Sequence, residues 1–325
     1  MEANDYINLF KTILVYTFPL ISTISVIANI LSFLTFSRKK FQNTVFSIYF
    51  RFSLFFDILS AITIPINKLL EFNFSIYFRD YNDSLCKFRY YFIYVLIPIS
   101  GWILVIVSID RFFNMAYPNR FLFKNKQSFQ ITVCTVIFIF NLAYYSPLLS
   151  YFIKINTIFN NSTNKTTYSF KCTNYGYPTD LLNIMNTTIV PFSLMFLFTF
   201  LTLKTLFKSR RKNNQIRNDQ IKKRDVRFTK TSIALNIIFL LFNLPYGVFS
   251  ILILRYKKFT GPDLEHLLYS IVYITYYSSF GSVFFINLKV NSIFRKEFMK
   301  MVLMRKDSMK TANSTIATGK SELRK

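Results

Sequence analysis

Seven long apolar runs occupy most of this chain of 325 residues. They lie at roughly 12–36, 46–67, 88–113, 129–152, 182–206, 229–254 and 267–288. A run of about 20 apolar residues crosses the roughly 30 Å hydrocarbon core of a bilayer as a helix, because a helix satisfies its own backbone there. The 40 Phe and 21 Tyr fit a bundle whose outer face meets lipid. The pattern predicts an all-α membrane protein, a bundle of seven transmembrane helices.

The distribution of charge predicts how the chain is threaded through the membrane. The formal net charge is +25, and 29 of the 40 Lys and Arg lie in the segments after spans 1, 3, 5 and 7 or at the span edges beside them. Because basic loops stay cytoplasmic, we predict an extracellular N-terminus (1–11), a membrane domain (12–288) and a cytoplasmic C-terminal segment (289–325). We expect a multi-pass protein of the plasma membrane. Its basic loops would face anionic lipid and a cytosolic partner, not nucleic acid, since no soluble fold surrounds the charges.

Two of the 3 cysteines lie on the predicted extracellular side, Cys86 before span 3 and Cys172 between spans 4 and 5. Disulfides persist outside the cell, so we predict a Cys86–Cys172 bridge. Cys134 lies inside span 4 and is expected to be a small buried apolar residue. The loop with Cys172 also carries a cluster of Asn-x-Ser/Thr sequences, which predicts glycosylation. The candidate acceptors are Asn160, Asn161 and Asn164.

Polar residues interrupt the first three spans at Asn29, Asp57 and Ser100. A carboxylate at mid-span costs about 2.5–3.5 kcal/mol on insertion scales, so Asp57 should face the bundle interior. We expect its partner to be Asn29, Ser100, water or a cation. A sodium ion near Asp57 is a candidate, and no other cofactor is expected. The alternative is that Asp57 is a structural hydrogen-bond hub with no signalling role.

Prolines fall inside spans 2, 4, 5 and 6, at Pro65, Pro147, Pro191 and Pro245. Each removes a backbone hydrogen bond and is expected to kink its helix. A kinked helix has an end that can swing about a fixed centre, so the pattern is typical of a bundle that moves.

Several motifs in these spans match the pattern of one receptor family. They are Asn29, Leu54-Phe55-Phe56-Asp57, Asp110-Arg111-Phe112 with Cys86 before it and Pro118 after it, Pro191, Phe239, Phe242-Asn243-Leu244-Pro245-Tyr246, and Phe294-Arg295-Lys296-Glu297-Phe298. With these motifs the chain resembles the rhodopsin-like (class A) G-protein-coupled receptors, from span 1 to the helix after span 7. The resemblance implies a seven-helix receptor with a short amphipathic helix after span 7, coupled to heterotrimeric G proteins.

The chain also departs from the family pattern, as divergent invertebrate receptors do, and it looks most like those. The family's Asn-Pro-x-x-Tyr is absent from span 7, where residues 283–287 take its place. The span 6 tryptophan corresponds to Asn243, and the span 5 tyrosine that helps to hold the active state corresponds to Thr199. These differences concern activation and leave the expected fold unchanged.

The resemblance implies a role for the acid–arginine pair at the end of span 3. Arg111 would be held by Asp110 and, at rest, by Asp225, which stands 20 residues before Pro245. A partly solvated latch of this kind contributes only about 1 kcal/mol, which suits a switch. Alternatively, Asp225 is a solvated acid among basic neighbours.

Release of that latch would let span 6 swing outward and open a cytoplasmic cavity for the G protein. The residues assigned to the helix pivot are Pro191, Phe239 and Pro245. Ser and Thr residues in the tail are candidate phosphorylation sites for arrestin.

The ligand is expected in the outer half of the bundle. Ile93 stands where amine receptors of the family keep an aspartate, and Tyr277 stands where opsins keep their lysine, so amines and retinal are disfavoured. The candidate lining residues are Lys68, Arg89, Ile93, Tyr94, Tyr246, Tyr269 and Tyr273. Basic and aromatic groups suit a peptide with a carboxylate or aromatic side chains, and we expect a neuropeptide. Alternatively, Lys68 and Arg89 extend to the lipid headgroups.

Other functions fit the same sequence less well. A chemosensory receptor for small external molecules shares every feature above and stays open as an alternative. A transporter or channel would carry repeats, broken helices or several midplane charges, and Asp57 is the only midplane acid found. An enzyme is not expected, because the chain has a single histidine and no nucleophile–base or metal-ligand cluster.

The predicted threading has a direct test with epitope tags. A tag before residue 1 should be stained by antibody on intact cells, and a tag after residue 325 only after permeabilisation, because the basic segments hold their side of the membrane in the cytosol. An N-terminal tag that is reached only in permeabilised cells would contradict the prediction.

Overall fold

Seven helices of the structure are long and apolar enough to cross a membrane. The structure, a computed structural model, describes residues 3–42, 44–73, 83–117, 127–149, 154–160, 165–171, 181–212, 220–255 and 262–303. The spans in it run from Tyr16–Phe36 to Ile271–Val290 and overlap the seven predicted ones throughout. The predicted fold class is confirmed.

The helices are numbered in chain order. They are α1 (Ala3–Phe36), α2 (Val45–Asn73), α3 (Asp83–Ala116), α4 (Gln127–Tyr145), α5 (Val190–Lys212), α6 (Gln220–Arg255), α7 (Pro262–Val290) and α8 (292–303). Three short turns accompany them: a one-turn helix Lys39–Gln42, a 3₁₀ turn Ser146–Leu149 after α4, and a π-helical turn Met185–Ile189 before α5.

Two of the predicted proline kinks take a different form. Pro147 lies in the 3₁₀ turn after α4, so it terminates the helix instead of bending it. Pro191 follows the π-helical turn directly. A proline ring clashes with the carbonyl four residues before it, and the wider π-helical turn makes room for that ring. Pro65 and Pro245 lie inside α2 and α6, as expected.

A two-stranded hairpin between α4 and α5 is the one addition to the all-α fold in the described part of the chain. Strands β1 (Lys154–Asn160) and β2 (Lys165–Lys171) pair antiparallel, with Lys154 opposite Lys171. Both sequences contain Ile, Thr, Tyr or Phe at intervals, which favours strands. The hairpin lies in the loop that is predicted to be extracellular.

Helix α3 lies at the centre of the bundle, since it contacts α2, α4, α5 and α6. Helix α1 packs against α2 and α7. The α1–α7 approach is close at Gly281, where an added Cβ would lie 2.9 Å from Ser25 Oγ and 3.1 Å from Ser25 Cα. The outer faces carry large apolar side chains such as Phe196, Phe200 and Leu241, which are 62%, 59% and 63% exposed and face the lipid of a bilayer.

An aromatic cluster joins α8 to the C-terminal ends of α1 and α7. The Phe294 side chain is fully buried, with its ring centroid 5.1 Å from that of Phe36 and 6.1 Å from that of Phe284. Asn291 caps α8, because its Oδ1 accepts from the backbone N–H groups of Ile293 (3.1 Å) and Phe294 (3.2 Å). The buried Glu297 carboxylate lies 3.2 Å from Arg38 Nε, so α8 is also tied to the turn after α1.

The buried ring of Phe294 should dominate the stability of this junction. Phe294→Ala is expected to cost about 3–5 kcal/mol, because truncation leaves a cavity among the rings of Phe36, Phe284 and Phe298. Phe285→Ala is the matched control, since Phe285 is 52% exposed and faces outward. Thermal melting of the purified protein should show a large drop for the first variant and a small one for the second. Equal drops would contradict the packing described.

Candidate functional site

Helices α6 and α7 share a cluster of tyrosines. Tyr246 lies 4.6 Å from Tyr276 and 5.6 Å from Tyr273, measured between ring centroids. Tyr277 meets Tyr276 edge-on at 5.6 Å and Phe18 of α1 edge-on at 5.3 Å, measured between ring centroids. We refer to Tyr246, Tyr273, Tyr276 and Tyr277 as the tyrosine cluster. Their rings and hydroxyls offer both apolar surface and hydrogen bonds to a ligand.

The structure brings some of the predicted ligand-pocket residues together and places others elsewhere. Tyr246 and Tyr273 belong to the tyrosine cluster, and Ile93 packs against it. Tyr94 instead packs against Tyr145 of α4, at 5.7 Å between ring centroids. Arg89 is half-buried, with its guanidinium 5.9 Å from the ring of Tyr90. Lys68 and Tyr269 lie on α2 and α7, and their side chains are outside the described residues.

A cavity lies next to the tyrosine cluster, around Asp57, and Tyr276 lines it. The Asp57 carboxylate accepts hydrogen bonds from Ser100 through Oδ1 and from Ser53 (3.4 Å) through Oδ2. The cavity has a volume of about 40 Å³, which is enough for a water molecule or a small ion. Its polar lining consists of Ser53, Asp57, Ser100, Asn243, Ser279 and Ser282. Oxygen ligands of this kind suit a hard cation such as sodium.

Asn29 does not join this cavity. Its Nδ2 donates to the Phe280 carbonyl oxygen at 2.9 Å, so it links α1 to α7. Of the three polar residues that the sequence places in the first spans, the structure therefore brings together Asp57 and Ser100.

Two of the three pivot residues, Phe239 and Pro191, meet at a glycine that sequence analysis did not single out. The ring of Phe239 on α6 lies over Gly101 on α3, so an added Cβ there would be 3.1 Å from Phe239 Cζ. The same Cβ would be 3.7 Å from Pro191 Cβ on α5. Gly101 thus allows α3, α5 and α6 to meet closely. Pro245 is exposed on α6 and directly precedes Tyr246 in the sequence.

The acid–arginine pair lies buried near the C-terminal end of α3. Asp110 and Arg111 are 4% and 6% exposed, and Arg111 Nη2 lies 2.8 Å from Asp110 Oδ2. Asn114 Nδ2 donates to the same carboxylate oxygen at 2.8 Å, which fixes the acid. Removing one partner of such a buried salt bridge is strongly destabilising, because the other charge stays buried without a partner.

Hydroxyl groups from α5 and α6 face Arg111 across a narrow cleft. The lining residues are Ser108, Arg111, Thr199, Thr202, Thr229, Ser232 and Ile233. Directly above, Asn236 Nδ2 donates to Ser108 Oγ (2.8 Å) and Thr199 Oγ1 (2.7 Å). Asp225, the predicted second partner of Arg111, lies on α6 with its side chain outside the described residues.

The extracellular predictions fall where the structure describes little. Cys172, Asn161 and Asn164 are outside the described residues, and so is the side chain of Cys86, so the bridge stays a prediction. Asn160 is the last residue of β1. Cys134 is a free, buried cysteine, as predicted.

The arrangement of seven spans, a buried acid–arginine pair at the end of α3 and an α8 after α7 agrees with the comparison with known families. The family model of the seven-transmembrane receptors (rhodopsin family) matches residues 28–281. The chain belongs to the rhodopsin family of seven-transmembrane receptors. Members of this family are signalling receptors, not enzymes, so the chain is a multi-pass membrane receptor. A comparison with curated protein sequences found no significant match.

Sequence reasoning missed several residues of this receptor that have roles in the structure. Ser53 stands four residues before Asp57, one helical turn away, which could have marked it as a partner. Asn236 interrupts an apolar run as Asp57 does, and polar residues within spans face the bundle interior. Gly101 had no such signal, because only the packing of α3 against α5 and α6 shows why a side chain is excluded there.

Proposed function

We propose that this receptor binds an extracellular neuropeptide and activates heterotrimeric G proteins through outward movement of α6. The observation that supports the proposal most strongly is the buried Asp110–Arg111 pair at the cytoplasmic end of α3. Arg111 also lines a cleft together with residues of α5 and α6. Separation of α6 from α3 would therefore expose this arginine to a cytosolic partner.

The proposed ligand class follows from the chemistry of the outer half. The tyrosine cluster offers four aromatic rings and their hydroxyls, while Ile93 leaves that region without an acid at the position that binds amines in the family. Arg89 and Lys68 would attract a ligand carboxylate, such as a peptide C-terminus. An aromatic side chain of the ligand would pack among the tyrosines. A small external molecule, sensed by a chemosensory receptor, is the alternative.

The proposal includes an orientation and several further features. The N-terminus would be extracellular and the C-terminus cytoplasmic, with the Cys86–Cys172 bridge and glycans at Asn160, Asn161 or Asn164 on the outside of the plasma membrane. At rest Asp225 would supply Arg111 with a second acidic partner. The tail beyond α8 would recruit arrestin after phosphorylation.

We further propose that the cavity around Asp57 binds sodium. This proposal can be tested without knowledge of the extracellular ligand. Replacing choline chloride by sodium chloride at equal ionic strength should raise the melting temperature of the purified receptor, by an amount equivalent to about 1.4 kcal/mol at tenfold the dissociation constant. Asp57→Asn keeps the size of the side chain but removes its charge, so the sodium effect should vanish.

A control variant replaces the buried carboxylate of Glu297, which does not line the cavity around Asp57. Glu297→Gln breaks the contact with Arg38 and should lower the melting temperature in both salts, but the difference between sodium and choline should persist. A sodium effect that survives Asp57→Asn would contradict the proposed cation site.

The signalling proposal is tested in transfected cells with a promiscuous G-protein reporter and a neuropeptide library. Arg111→Ala should reduce the response to any agonist found by at least about tenfold at unchanged surface expression, because the arginine would be the group presented to the G protein. Lys40→Ala is the control, since Lys40 is an exposed cation at the cytoplasmic end of α1. An agonist response that survives Arg111→Ala would contradict the role given to this residue. Activation by small external molecules and by no peptide would favour the chemosensory alternative.

A further inference from the structure

Helix α6 carries an asparagine within an apolar run, and its side chain joins three helices. Asn236 is 4% exposed, and its Nδ2 donates to Ser108 Oγ on α3 (2.8 Å) and to Thr199 Oγ1 on α5 (2.7 Å). By contrast, Asn243, two turns further along α6, donates to a carbonyl of its own helix, that of Phe239 (2.8 Å). We call Ser108, Thr199 and Asn236 the amide clasp. It is a contact between helices that secondary structure alone does not require.

The amide clasp lies at a part of α6 that would be displaced if the helix rotated about Pro245. Asn236 stands nine residues before Pro245, which places it about 13 Å from this proline along the helix axis. A rotation of about 10° around Pro245 would displace Asn236 by roughly 2 Å. Hydrogen bonds do not persist beyond about 3.5 Å, so the bond to Ser108 on the central helix α3 would be lost.

We propose that the amide clasp is a second restraint that keeps α6 in its resting position, separate from the Asp110–Arg111 pair. The proposal rests on the outward movement of α6 in the proposed function. Ser108 stands three residues before Arg111, so the clasp and the pair act on neighbouring turns of α3. The pair joins neighbouring residues of α3, whereas the clasp joins α3 and α5 to α6.

The strength of the amide clasp is suited to a switch. Interhelical hydrogen bonds within membranes are individually weak, since the separated groups find other partners. The clasp also leaves Asn236 Oδ1 buried without a donor among the described residues, which offsets part of the gain from the two bonds. The restraint is therefore small enough for a ligand with limited preference for the active state to overcome.

Thr199 gives the amide clasp its specificity for the resting state. The threonine hydroxyl accepts the bond from Asn236 and lies at the edge of the cleft that contains Arg111. Family members with a tyrosine at this position use it to hold the active state. In this chain the same position carries a short side chain that bonds to α6 before any movement.

The test measures the position of α6 directly and needs neither ligand nor G protein. Spin labels at Lys39→Cys and Lys230→Cys, two exposed sites, would report the distance between the turn after α1 and the cytoplasmic end of α6 in purified full-length receptor in nanodiscs. Cys134 is 1% exposed and should stay unlabelled. Asn236→Leu removes both donors at similar side-chain volume and should increase the ratio of outward to resting α6 by about tenfold.

Two further variants separate the clasp from a general loosening of the bundle. Thr199→Val removes one acceptor and should increase the same ratio by about threefold. Thr205→Val is its matched control on α5, because Thr205 Oγ1 donates to the carbonyl of Leu201 in its own helix (2.9 Å), and the ratio should not change. Combined with Asn236→Leu, the Thr199→Val change should add nothing, since the bond it would break is already absent.

Unchanged distances in both Asn236→Leu and Thr199→Val would overturn the proposal. A shift of equal size in Thr205→Val, or full additivity in the double variant, would also overturn it, because the effect would then not come from the Asn236–Thr199 bond. Failure of the G-protein reporter would leave these distances unaffected, so the proposed function and the amide clasp can fail independently. If Asn236→Leu does not fold, Thr199→Val still decides between the outcomes.

Discussion

The absence of hydrogen-bond partners in lipid determines where each polar side chain of this receptor lies. A polar side chain inside a span forms its hydrogen bonds with the backbone of its own helix or with another helix, because the hydrocarbon core offers no water as a partner. Asn29 links α1 to α7, Asp57 and Ser100 link α2 to α3, and Asn236 links α6 to α3 and α5. The polar residues thus fix the positions of helices whose apolar outer faces have no preferred neighbour.

The same constraint explains which parts of the fold followed from sequence and which did not. Length and apolarity sufficed for seven spans, because both are properties of a single segment. The burial of Asp57 also followed, since a charge at mid-span cannot face lipid. The burial of Asp110, at the end of its span, was not predicted. The sequence left four candidate partners for Asp57, namely Asn29, Ser100, water and a cation. Only the packing of the helices shows that Ser100 bonds to Asp57 and that Asn29 bonds to α7 instead. The position of Tyr94 on the α4 side could not be read from spacing either.

The departures from the family pattern at the end of α7 are compensated by local packing. Asn287 is fully buried, donates to the carbonyl of Val283 in its own helix (2.8 Å) and accepts from Asn291, the cap of α8. Phe284 supplies the aromatic contact with α8, since its ring lies 5.3 Å from that of Phe298. The α7–α8 junction is therefore held by rings and a cap, without the proline and tyrosine that the family places here.

Tyr276 connects the two levels of the bundle that a ligand and a cation would occupy. Its ring stacks on Tyr246 in the tyrosine cluster, and it also lines the cavity around Asp57. The small side chain of Asn243, where the family has a tryptophan, lines the same cavity. A ligand that displaces the tyrosines must therefore change the wall of the Asp57 cavity. That change would reach α6 between Tyr246 and Phe239, and α6 is the helix that the Asn236 amide holds.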